Sequence, residues 1–187
     1  MPRKIRLEAN RILVSCGGSD PFRITLRIMN ALSEVRNPPL TVRVVLGPGF
    51  ESAYRTSLVA KAHNSQHNIK CFDAPDSLAS HMRWCDLAVT TSGLTKYELA
   101  ATGTPAVLIS PDQMHAAANE PFSALGTAAD LGTAEHVTPT DIASIMCALL
   151  SDSKHRSAMA RAGMRAVDGR GAGRIAKALK ELAYVET

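Results

Sequence analysis

What most narrows the fold of this chain is the alternation of short β-branched runs with longer amphipathic stretches along most of its length. Arg11-Ile-Leu-Val-Ser-Cys16 reads as a buried strand, and Pro21 to Val35 as the helix after it. Thr41-Val-Arg-Val-Val-Leu46 gives a second strand, and Gly47-Pro48-Gly49 turns the chain into a helix from about Glu51 to His63. Asn68 to Phe72, Asp86 to Thr91 and Pro105 to Ser110 follow as strands three to five, with Asp76 to Arg83, Thr95 to Thr102 and Ala116 to Leu125 as their helices. Ala128 to Leu131 is a short sixth strand, and helices over 139–150, 154–166 and 172–183 close the chain outside the sheet. This βα rhythm predicts a single doubly wound, Rossmann-like α/β domain with a six-stranded parallel sheet in the order 3-2-1-4-5-6, followed by C-terminal helices. Residues 11–187 form that domain, and residues 1–10 read as a tail or the remnant of an interdomain linker.

Composition fits such a domain. The chain has 187 residues, 45% hydrophobic and 20% charged, and at that size folding buries on the order of 70% of the unfolded chain's surface, so the core needs no staples. Cys16, Cys71, Cys85 and Cys147 show no CxxC spacing, which argues against a metal site and a secreted disulfide framework. There is no apolar stretch behind Met-Pro-Arg-Lys-Ile-Arg and no run of 18 apolar residues, so a transmembrane segment is excluded and the cytoplasm is the expected compartment. The net charge of +4, with aromatics at only 4%, does not suit nucleic-acid binding. The basic residues after position 150 space out as a solvated helix face.

In doubly wound sheets ligands bind beyond the carboxyl ends of the strands, which directs attention to the loops after strands one and four. The first reads Cys16-Gly17-Gly18-Ser19-Asp20-Pro21. Its glycines allow close backbone approach to a ligand, Asp20 suits the N-cap of the next helix and Pro21 its first position. A phosphate fits such a helix start, and so does a plain tight turn. Neither GxGxxG nor GxxxxGK[ST] occurs, which disfavours the usual dinucleotide and P-loop readings. The second loop, Thr90-Thr91-Ser92-Gly93-Leu94-Thr95-Lys96-Tyr97-Glu98, is again small and polar before a helix. The amides and hydroxyls from Ser92 to Thr95 suit a diphosphate, and the Glu98 carboxylate suits two ribose hydroxyls. Thr95-x-x-Glu98 is equally a capping box, with Glu98 satisfying the Thr95 amide.

These loops, with Ser110-Pro-Asp-Gln-Met-His-Ala-Ala-Ala-Asn119 after strand five, resemble the C-terminal, nucleotide-binding half of the GT-B glycosyltransferase fold. The nearer likeness is to the UDP-sugar hydrolases of pseudaminic acid biosynthesis and their spore-coat polysaccharide relatives. It rests on Ile12-Leu-Val-Ser-Cys-Gly-Gly-Ser-Asp-Pro21, Thr95-Lys-Tyr-Glu-Leu-Ala-Ala-Thr-Gly-Thr-Pro105 and Val167-Asp-Gly-Arg-Gly-Ala-Gly-Arg174. The N-acetylglucosaminyltransferase of lipid II synthesis is a more distant likeness. The resemblance implies UDP or a UDP-sugar as ligand and no cofactor. It implies that Gly17, Gly18 and Ser19 approach the phosphates or the sugar, and that the backbone near Phe72 reads the uracil edge. Ser92, Gly93, Leu94 and Thr95 would hold the diphosphate and Glu98 the ribose. Gln113 would face the sugar, although the spacing Gln113-Met-His-Ala-Ala-Ala-Asn119 departs from the relatives and leaves open which of Gln113, His115 and Asn119 reaches it.

In the resembling enzymes a preceding domain supplies the catalytic base. The expectation is therefore one half of a UDP-sugar hydrolase or glycosyltransferase, a fragment or one subunit of a split enzyme, inactive by itself. The other reading is a binding or interaction module without catalysis. Of the histidines only His115 lies on a site loop and is a weak candidate for a catalytic group; His63 and His67 flank a surface-like Asn-Ser-Gln. Ile175, Leu179 and Leu182 form an apolar stripe on the last helix, which is expected either to mediate contact with a partner, including self-association, or to fold back onto the domain.

Overall fold

The computed structural model describes residues 3–36 and 39–185. The ends of the 1–10 tail and of the 11–187 domain, Met1, Pro2, Glu186 and Thr187, lie outside them. Six strands form one sheet: β1 (Arg11–Ser15), β2 (Thr41–Leu46), β3 (Asn68–Asp73), β4 (Leu87–Thr90), β5 (Ala106–Ser110) and β6 (Ala128–Thr133). Their order is β3-β2-β1-β4-β5-β6 and every pair is parallel, as the sequence pattern predicts. The last strand runs to Thr133, with a register shift between Leu108 and Ser110 of its partner.

Both faces of the sheet are covered, which is why the central strands are apolar without alternation. In β1, Ile12 and Val14 face a core with Ile28 and Leu32 of α1 (Ile24–Leu32), Leu58 of α2 (Ser52–His63) and Met146 of α7 (Pro139–Ser151). Leu13, between them, faces the opposite core with Met82 of α3 (Ala79–Trp84), Leu99 of α4 (Thr95–Ala101) and Phe122 of α6 (Glu120–Ala124). The predicted helix 116–125 is in fact two short helices, α5 (Gln113–Ala117) and α6, joined at Asn119. α7 starts with a capping box between Thr138 and Asp141. α8 (Ser153–Ala166) crosses α4 at Gly163, where a Cβ would lie 2.8 Å from the Ala100 carbonyl oxygen, so only glycine permits this approach.

Residues 3–10 are bound to the domain. Arg156 of α8 has no exposed surface, and its guanidinium donates to the carbonyls of Leu149, Leu150, Arg6 and Leu7. Asp86 accepts from the amides of Asn10 and Arg11 and pairs with Arg6 at 3.7 Å. α9 (Gly171–Val185) is different: Ile175, Leu179 and Leu182 are 65%, 62% and 66% exposed. The stripe therefore does not fold back onto its own domain. No described helix is long and apolar enough to cross a membrane.

Because Arg156 satisfies four carbonyls in a place without solvent, Arg156→Met should cost about 2–4 kcal/mol in a denaturant titration. An exposed neighbour such as Arg161 should change stability by less than about 0.5 kcal/mol when replaced by Met.

Candidate functional site

In a parallel sheet the loops after all six strands emerge at one edge. The loops after β1 and β2 are fused there. Gly49 donates its amide to the Gly18 carbonyl at 2.8 Å, and a Cβ on Gly47 would lie 2.3 Å from that oxygen and 2.4 Å from the Gly17 oxygen. On their other side Gly17 and Gly18 border open space, and Gly17 has φ 82°. The turn runs on through Asp20 and Arg23, both left-handed at φ 45° and 53°, so α1 begins at Ile24 and Pro21 belongs to the turn rather than to the first helical position. Asp20 is not the terminal cap residue, but its buried carboxylate does the work of one: it accepts from the amides of Ile24 and Thr25 and from the Tyr54 hydroxyl, each at 2.8 Å. The first two amides of α1 therefore have an acceptor within their own chain. Cys16 is buried behind it, and burial, reinforced by Asp20, pushes its thiol up, away from nucleophilic use.

The loop after β4 contains an uncommitted polar group. The Ser92 hydroxyl oxygen is buried and has no hydrogen-bond partner among the described residues. Gly93 borders open space, and α4 begins at Thr95 with Leu94 as its cap residue and no side-chain cap. Thr95 thus lies one position inside the helix and the Thr95-x-x-Glu98 capping box does not form. Glu98 is exposed, its carboxylate makes no hydrogen bond or ion pair with a described residue, and it lines a cavity of about 440 Å³ with Pro75 to Leu78 of the loop after β3 and with Ala79, Met82, Ala101 and Thr102. The ring of Phe72, at the end of β3, is not free: it stands edge-on to His81 at 4.7 Å, with the Arg43 guanidinium 5.4 Å from its centre. Burial, then Arg43, holds the His81 imidazole below its ordinary pKa.

Beyond β5, Asp112 caps α5. It accepts from the His115 amide at 2.9 Å and meets His115 Nδ1 at 2.7 Å, which holds the carboxyl below its usual range. Gln113 is exposed and His115 half-exposed. Asn119 has no exposed surface; its amide donates to the Ser110 hydroxyl and its oxygen accepts from Lys96 Nζ, both at 2.9 Å. The structure thus separates the three residues the sequence left open: Gln113 and His115 reach solvent, and Asn119 does not. His67 is not at the surface either. It is buried, with Nε2 against the Leu32 carbonyl at 2.7 Å and Nδ1 accepting from the Leu40 amide. Sequence reasoning passed over Lys96, Tyr54 and Arg43; the one signal for Lys96 was its place directly after the Ser-Gly-Leu-Thr loop.

No group of three His, Cys, Asp or Glu among the described residues is placed to hold a metal ion. A separate apolar cavity of about 460 Å³, lined by Ala9, Val35, Leu40 and Leu150 among others, lies at the opposite edge, where strands begin.

No protein-family model matches the chain. It is 24% identical over 178 residues to the spore coat polysaccharide biosynthesis protein SpsG of Bacillus subtilis, a match covering 95% of this chain and 52% of that protein. Among solved structures, Acinetobacter baumannii MurG superposes with a TM-score of 0.74 at 22% identity, covering 93% of this chain and 50% of MurG. Anabaena HepE, solved in complex with UDP-glucose, gives a TM-score of 0.73 at 16% identity over 92% of this chain and 49% of HepE. The chain has the fold of the C-terminal domain of the GT-B glycosyltransferases, and it spans about half the length of the proteins it matches.

Asp20 organises the turn that carries Gly17, Gly18 and Ser19. Asp20→Ala should cost about 1–3 kcal/mol in thermal or chemical unfolding, because two helix amides and a buried phenol lose their acceptor together.

Proposed function

We propose that the chain binds a uridine diphosphate sugar at the carboxyl edge of its sheet. It would supply that half of the site in an enzyme that breaks the sugar's anomeric C–O bond or its phosphate bond, with water or an acceptor hydroxyl as nucleophile. The observation that carries this reading is Glu98: an exposed carboxylate one turn inside α4, free of any capping role, lining a cavity beside the loop after β3. Such a carboxylate accepts two hydrogen bonds from the vicinal hydroxyls of a ribose. The base then lies against the chain that leaves β3 after Phe72. The diphosphate lies toward Ser92, Gly93, Leu94 and Thr95, where the unpartnered Ser92 hydroxyl gains a phosphate oxygen. Gly17, Gly18 and Ser19 border the phosphates or the sugar, and Gln113 faces the sugar. The UDP-glucose held by the HepE neighbour supports uridine as the nucleoside, and the SpsG relative supports polysaccharide biosynthesis as the setting.

Contacts of this kind hold ground and transition states alike and do not by themselves raise turnover. A positioned base contributes a factor of about 10²–10⁴. We assign no catalytic residue to this chain. His115, whose ring nitrogen is engaged by Asp112, remains the candidate to test. The base comes from the rest of the enzyme, which meets this domain at the exposed stripe of α9; a second copy of the chain is the alternative partner.

Titration calorimetry should show UDP binding that Glu98→Ala weakens by about 1–3 kcal/mol, with unfolding free energy changed by less than about 1 kcal/mol because the carboxylate caps nothing and meets only the helix dipole. The chain alone should release no UDP from UDP-sugars at an enzymatic rate. Turnover of about one per second, within the ordinary enzymatic range, that is lost in His115→Ala would assign catalysis to His115.

A further inference from the structure

The segment carrying Gln113 and His115 is weakly founded. α5 is only five residues long and buries none of its side chains. A helix of that length is not stable by itself, so the segment is held from its ends. At one end is Ser110, the last residue of β5, fully buried; at the other is Asn119, also fully buried. Asn119 ties the two ends together through its bond to the Ser110 hydroxyl, and Lys96 closes the arrangement from α4. Lys96 Nζ donates to Asn119 Oδ1 at 2.9 Å and to the Ala118 carbonyl at 2.7 Å, while lying 5.1 Å from the centre of the Phe122 ring. An ammonium has only donors, so its bond fixes which end of the Asn119 amide faces it and leaves the NH₂ for Ser110. Lys96 is 4% exposed, a costly place for a charge unless its contacts are used. It also follows Thr95 directly, so one residue joins the start of α4 to the end of α5.

We propose that Lys96 is a positioning residue for sugar recognition: through Ala118 and Asn119 it fixes segment 111–118 relative to the start of α4, and so sets how much affinity the sugar adds to that of UDP. This rests on the reading that UDP lies along α4 and the sugar toward Gln113. Lys96 itself touches neither.

The test uses the full chain with Lys96→Met and Lys96→Arg. Amide exchange over 113–118 should rise by about tenfold or more in Lys96→Met, with the amides of β4 and β5 unchanged, since local opening is set by local contacts. Calorimetry with UDP, UDP-glucose and UDP-N-acetylglucosamine should show UDP affinity within about threefold of wild type, while the advantage of the preferred sugar nucleotide over UDP falls by about fivefold or more. Lys96→Arg should recover part of that advantage. Should Lys96→Met not fold, Ser110→Ala removes the other end of the same tie and should show the same pattern more weakly. Equal loss for UDP and UDP-sugars, or unchanged exchange over 113–118, overturns the proposal and leaves Lys96 as a packing residue. A wild-type chain that binds UDP without gaining from any sugar overturns its specificity half. A wild-type chain that binds no UDP defeats the nucleotide reading itself, and the exchange comparison then decides the anchor by itself.

Discussion

A parallel strand must be entered from the same end as its neighbour, so the chain crosses back over the sheet after every strand and always departs from the same edge. Everything else in this domain follows from that constraint. The crossings cover both faces, which makes Ile12, Leu13 and Val14 all buried although they point alternately to two cores. The departures gather six loops into one row, so residues far apart in sequence share a cavity: Glu98 from α4 meets Pro75 to Ala79 from beyond β3. No single element holds this candidate site. Its geometry is as firm as the packing of the sheet beneath it and of the helices, such as α8 on α4, that press on its parts.

The central strands were legible in the sequence because burial on both sides leaves a plain mark, short apolar runs between polar punctuation, and the strand order followed as the usual one for six parallel strands in a doubly wound sheet. Boundaries were less legible where a side chain substitutes for backbone geometry. Pro21 looks like a helix start, yet it sits between left-handed Asp20 and Arg23 and the helix begins only at Ile24, stabilised by a carboxylate bonding four and five residues ahead. The Thr95 and Glu98 spacing failed in the reverse direction. It meets the pattern of a capping box, but the helix starts one residue too early for the box to close, and that offset depends on the loop after β4 rather than on the two residues. The buried polar residues were least visible. Lys96 was passed over and His67 read as a surface group because burial of a charged or polar side chain is decided by partners from other elements, the Asn119 amide in one case and the Leu32 carbonyl in the other.

The two helix starts that flank the centre of the sheet are electrostatically unlike. At α1 the positive end of the helix meets a carboxylate of its own chain, which also accepts from the Tyr54 hydroxyl; burial, reinforced by Asp20, pushes that phenol up. At α4 the corresponding position has Leu94, without a capping side chain, and a buried hydroxyl nearby at Ser92. The first helix start is thus closed by its own chain while the Gly17 and Gly18 surface beside it stays open, and the second has no side-chain cap.

The contact between Gly47 and the carbonyls of Gly17 and Gly18 also limits how this architecture diverges. A side chain at position 47 has no space unless the first loop retreats, and a retreat moves the open surface of Gly17 and Gly18. Substitutions at these positions therefore cannot accumulate independently: a descendant that loses the glycine at 47 must rebuild the first loop in the same lineage or abandon its geometry. Position 47, which touches no ligand in any reading given above, becomes an indicator of whether a related sequence still has the same first loop.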